Sequence, residues 1–165
     1  MIARTVFTVL AVTAITCSYG QKSQFDRQDF YAAMASDKMD LVNDQQAIVK
    51  ASNMTGKQGF EGALLMKKAG LIGKGGEKLS LFKSGHKLLD DAIKTDTSNA
   101  ELRFLRLMIQ EHAPKMLKYK GNIESDSKLI RQKFHQLQPE VQKAVMDYSE
   151  KSNILKPTDF NQGPA

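Results

Sequence analysis

The chain has 165 residues, the length of one ordinary domain, with 41% apolar residues, no tryptophan and a formal charge of +6. That apolar share is enough for an autonomous core, which excludes a chain disordered throughout. A single cysteine excludes a disulfide framework.

The first twenty residues differ from the rest. Arg4 is their one charge, residues 6–15 form an apolar run broken by Thr8 and Thr13, and Ser18 and Gly20 are small. These stand at −3 and −1 of a cut before Gln21, the anatomy of a secretory signal. The run is shorter than the roughly 20 residues a membrane-spanning helix needs, and no later stretch approaches it. A competing reading makes Cys17 the acylated start of a lipoprotein, but Ala14-Ile15-Thr16 matches poorly the Leu-small-small pattern expected before such a cysteine. The chain therefore reads as a signal peptide over residues 1–20, a helical domain over 21–152 and a tail over 153–165. It is expected to be exported, periplasmic in the first instance, with a lipid anchor at Cys17 or full secretion as alternatives. Loss of Arg4 would leave a charge of +5.

Apolar positions then recur at spacings of three and four, never at two. Phe30, Tyr31 and Met34 predict a helix over 27–35. Ser36 is placed to cap the next, with Asp37 and Asp40 in its first turn and a core stripe of Leu41, Ile48 and Val49. Residues 53–59 read as a loop. Leu64, Leu65 and Met66 mark a third helix over 60–69 that Gly70 is placed to end. Four glycines between positions 70 and 76 make the clearest break. Leu79, Phe82, Leu89, Ala92 and Ile93 define a long helix reaching Thr95. After the turn Asp96-Thr97-Ser98-Asn99, a helix over 100–112 is apolar on nearly all sides, as the buried centre of a bundle would be. Asn122 is placed to cap a helix with stripe Ile123, Ile130, Phe134 and Leu137. Pro139 begins a last one with Val141, Ala144, Val145 and Tyr148. The tail from Asn153 is expected to be a short strap that frays. The expected fold is all-α: a single-domain antiparallel bundle of six or seven helices.

Residues 92–101, AIKTDTSNAE, resemble the junction between tetratricopeptide-type helical hairpins, without a second copy at that repeat's period. Leu64-Leu65-Met66-Lys67-Lys68-Ala69-Gly70 and the stretch Leu102 to Glu111 with Pro114 are similar to small exported helical proteins of Bacteroidota-type bacteria. That resemblance implies an envelope or periplasmic setting and brings no activity or catalytic residue.

Four polar residues share a face of the apolar helix: Asn99, Arg103, Arg106 and Gln110. Guanidiniums there require carboxylates, such as Asp90 or Asp91, or an anionic ligand. Lys67, Lys68, Lys74, Lys78, Lys83 and Lys87, opposed only by Glu77, form a candidate polyanion patch whose competing reading is a solvated face. His86, His112 and His135 lack the spacing of a metal site, so neither metal nor cofactor is expected. Gly73-Lys74-Gly75-Gly76 fails the phosphate-loop spacing, and no hydroxyl sits in a nucleophile elbow. Nucleic acid is a poor partner for an exported chain without aromatic-basic interleaving. What remains is an interaction module docking an envelope protein or peptide, with an anionic-ligand or polyanion binder as the alternative and an enzyme the weakest reading.

Overall fold

The computed structural model describes residues 24–73 and 75–161. The signal-peptide reading, Cys17 included, lies outside them, as does Lys74. Helix α1 (Arg27–Ala35) opens on Asp26, whose carboxylate accepts from the Asp29 amide at 3.0 Å. Ser36 closes this helix rather than capping the next: its amide reaches the carbonyls of Ala32 and Ala33. The short extended link that follows puts Lys38 at the start of α2 (Met39–Ala51), so Ser36 stands two residues too early to cap it.

The stripe expected along α2 is turned. Val42, Gln45 and Val49 face the core, Ile48 is half-buried, and Leu41 is 41% exposed. One residue is about 100° of helix, so neighbouring positions trade core for surface.

Helix α3 (Lys57–Leu71) begins before Phe60 and passes through Gly70 to end at Ile72. It packs most extensively on α4 (Gly76–Thr95). A Cβ added to Gly59 would lie 3.2 Å from the Ala92 Cβ; one added to Gly62 would lie 2.6 Å from the Gly85 carbonyl oxygen and 2.7 Å from the Leu89 amide nitrogen. These pairings run in opposite directions, so α3 and α4 are an antiparallel hairpin with backbones touching where both helices lack side chains.

Helix α5 (Ala100–His112) is the buried centre that its sequence predicts. Leu102, Phe104, Leu105, Arg106, Leu107 and Gln110 are all buried. It packs on α3, α4 and α6 (Ile123–Lys133). Phe104 stacks between Tyr31 of α1 and Tyr148 of α7 (Pro139–Ser149), with ring centroids at 5.8 and 5.6 Å. Asn122 stands at the N-terminal cap of α6, its carbonyl accepting from the Asp126 amide at 2.8 Å, but its side chain makes no cap hydrogen bond. A 3-10 turn, Phe134–Gln136, closes α6, and Pro139 opens α7 as expected. Helix α7 packs chiefly on α1 rather than along α6.

The tail does not fray as far as residue 160. Leu155 and Phe160 are buried, and Phe160 stacks on Phe134 at 4.5 Å. Arg131 ties the strap to α6 through the Ile154 carbonyl (2.8 Å) and Asp159 (2.9 Å). The described residues thus hold seven α-helices and no strand in a single all-α bundle.

Candidate functional site

Arg103 and Arg106 stand one turn apart on α5 and converge on one carboxylate, Asp126 of α6. Arg106 grips it bidentately, Nε to Oδ2 at 2.7 Å and Nη2 to Oδ1 at 2.8 Å. Arg103 Nη1 adds a bond to Oδ1 at 2.8 Å. Asp126 is fully buried and the Arg106 side chain is 7% exposed. The third Arg106 nitrogen reaches Asp90 of α4 at 3.3 Å. Asp90 also accepts from the Tyr119 hydroxyl (3.4 Å) and bonds His86 Nε2 (2.8 Å). Two guanidiniums therefore meet two carboxylates, and their formal charges cancel. Burial would lower the Arg106 pKa, but Asp126 and Asp90 outweigh it and hold the guanidinium more firmly charged than usual. Burial first, and then Asp90, raises the Tyr119 phenol well above its ordinary value.

The other two members of the line do different work. Asn99 caps α5, its Oδ1 accepting from the Leu102 amide at 3.1 Å. Gln110 is buried; its Nε2 donates to Asn122 Oδ1 at 3.2 Å, while its Oε1 has no protein partner. Arg103 also donates twice to the Thr97 carbonyl, at 3.1 and 2.8 Å, fastening the α4–α5 turn to α6. The arrangement contains no nucleophile held by a base. Its evident capacity is structural: it locks α4, α5 and α6 together. Asp126 was not singled out from sequence, although its place was a signal. It sits on the apolar stripe of α6, three residues after Ile123 and four before Ile130, where a lone acid requires a buried partner.

The described lysines of the candidate patch have different surroundings. Lys67 reaches Asp37 at 3.4 Å and Lys68 reaches Asn43 at 2.9 Å, both toward α2. Lys78 turns back to the Ile72 carbonyl at 3.4 Å, and Lys87 pairs with Asp91 along α4 at 2.6 Å. Lys83 is exposed. The histidines are separate too: His112 meets the Tyr148 hydroxyl at 3.4 Å, and His135 stacks on Phe134. Among the described residues no group of three His, Cys, Asp or Glu side chains is placed to hold a metal ion, and no helix is long and apolar enough to cross a membrane.

A different feature is an open depression on the surface. Between α1 and α2 runs an open groove of about 550 Å³. Ala32, Ala33, Leu41 and Ile48 form its apolar walls, and Asp29 and Asp44 edge it. On α2, Leu41, Asp44, Gln45 and Ile48 fall at i, i+3, i+4 and i+7, a single face. Gln45 is 8% exposed, and its buried Oε1 has no donor within the protein. Ile48 also lines an adjoining hollow with Phe25 and Met54. Leu41 and Ile48 were legible as a stripe, but its role as groove lining rather than core was not.

Compared with protein-family models, curated proteins and solved structures, the chain has no match.

Proposed function

We propose that the chain is an exported helical interaction module of the bacterial envelope or periplasm, and that its α1/α2 groove holds a basic amphipathic segment of a partner protein. The observation that carries this reading is the groove's composition: apolar walls and an acidic edge. Leu41 and Ile48 offer apolar surface to a helix or extended segment. Asp29 and Asp44 favour lysine or arginine beside its apolar residues. Residues 26–51 carry Asp26, Asp29, Asp37, Asp40 and Asp44 against Arg27, Lys38 and Lys50, an acidic region in a basic chain. The anionic-ligand alternative draws no support from Arg103 and Arg106, whose guanidiniums are engaged by protein groups.

Peptide display on the purified chain tests the groove, with counter-selection on the Leu41→Glu variant, whose side chain is too exposed for its loss to unfold the protein. Enriched sequences should combine Leu or Phe with Lys or Arg at helical spacing and bind the variant at least tenfold more weakly. Acidic winners, or winners that bind the variant equally, would overturn the reading. Export is tested by sequencing the N-terminus of chain recovered from producing cells. Gln21 as first residue supports it and a retained Met1 refutes it.

A further inference from the structure

Three large apolar side chains stand exposed among the described residues: Leu41 in the groove, Leu79 at 43% and Met116 at 85%. The last two stand on segments that Tyr119 joins. Met116 tops a 3-10 turn, Lys115–Leu117, in the connection from α5 to α6. That turn is held against α4 by Tyr119, which is buried and whose ring lies 5.5 Å from Phe82 and 4.3 Å from His86. Leu79 precedes Phe82 by one turn on the same face of α4, and Lys83 is its i+4 neighbour.

The charges around this tip have one sign. Lys83, Lys115, Lys118 and Lys120 are all exposed, and no acid occurs between Glu111 and Glu124. Lys120 gives one hydrogen bond to the Glu111 carbonyl at 3.0 Å. The Glu111 carboxylate is turned to Ser152, Asn153 and Tyr148. Asp90 is held by His86 and Arg106, and Glu77 lies about 200° around α4 from Leu79.

We infer that this tip docks the protein on an anionic bilayer surface, Met116 entering the headgroup boundary while Lys83, Lys115, Lys118 and Lys120 meet lipid phosphates. The shape decides between a bilayer and an acidic protein. A convex turn with its apolar residue at the apex has no cleft to key into a rigid partner, whereas a fluid interface deforms around it. Lysine stems lie along the apolar boundary with their ammonium groups in the headgroup layer. Such docking is weak, reversible and salt-sensitive, because one methionine and a few lysines are far from a stable anchor.

The chain contains no tryptophan, so Met116→Trp installs a single reporter at the apex. The full chain carrying it is titrated with phosphatidylglycerol vesicles, phosphatidylcholine vesicles and soluble polyglutamate. The expected result is a blue shift of emission and quenching by brominated phosphatidylglycerol, with neither on phosphatidylcholine. Adding Lys115→Ala and Lys118→Ala should weaken the partition measured by that signal about 25-fold, about fivefold for each lysine. Sedimentation with vesicles while the emission stays that of a water-exposed indole would overturn the inference, since another part of the chain would then be bound. Quenching that survives removal of both lysines would do the same. So would an equal shift on polyglutamate without quenching by brominated lipid, which would make the partner an acidic macromolecule.

Discussion

Asp126 accepts three hydrogen bonds from two guanidiniums in a place no water reaches. Removing it leaves those cations without their main partner, the situation in which breaking a buried pair costs about 3–5 kcal/mol. Asp126→Ala is expected to lower the unfolding free energy by that amount in urea titration, and Asp91→Ala, on the exposed lysine side of α4, to leave it nearly unchanged. Glu111 gives a second expectation. Burial alone would raise its carboxyl, but the Ser152 hydroxyl, the Asn153 amide and the Tyr148 hydroxyl together hold it below its ordinary 4.5. A carboxyl lowered in the folded state contributes stability that is complete above the unfolded value and lost as pH falls through the folded one. Stability should therefore decline from about pH 4.5 downward, and Glu111→Gln should flatten that part of the pH profile in thermal melts. At this scale the sequence was half legible. Charges on a helix otherwise apolar require partners, so Arg103 and Arg106 stood out. Of the acids proposed for them, Asp90 does reach Arg106, while Asp91, one position on, turns to Lys87 and Lys94. Which acid meets a guanidinium depends on how α5 crosses its neighbours, and no spacing within one helix contains that.

Between elements, the α3–α4 seam is the most demanding contact. Gly62→Ala and Gly85→Ala each place a carbon against opposing backbone, which cannot rotate away. Each should cost about 1–3 kcal/mol or more, as overpacking does. Gly70→Ala, with nothing within 4 Å, should instead stabilise by about 0.4–1 kcal/mol. Thermal melts of the three variants separate packing from propensity. Helix existence was readable from periodicity, as α5 and α7 illustrate. Helix ends were less so: Ser36 and Gly70 have the right chemistry for termini, yet an extended link puts the start of α2 after Ser36, and α3 runs one residue past Gly70. The inward side of α2 was misread because Leu41 and Val42 are equally apolar, and only the approach of α3 chooses between them.

For the molecule as a whole, the C-terminal strap is the closing piece. Leu155 and Phe160 are buried, so Leu155→Ala should cost about 2–5 kcal/mol and Phe160→Ala about 3–5 kcal/mol, read from denaturant midpoints. A fraying tail would tolerate both. Its Pro and Gly residues suggested looseness, but two apolar side chains six residues or fewer apart were enough to pin it once α6 offered a surface. The all-α class and the central position of α5 followed from composition and patterning, whereas the order in which helices pack did not. The glycine seam also bears on ancestry. Where two backbones touch, drift has no compensating side chain to adjust, so position 62 and position 85 can change only together with the spacing of the helices themselves. Glycine at 59, 62 and 85 with alanine at 92 is thus the pattern that related sequences are expected to keep longest, which an alignment of homologues would check.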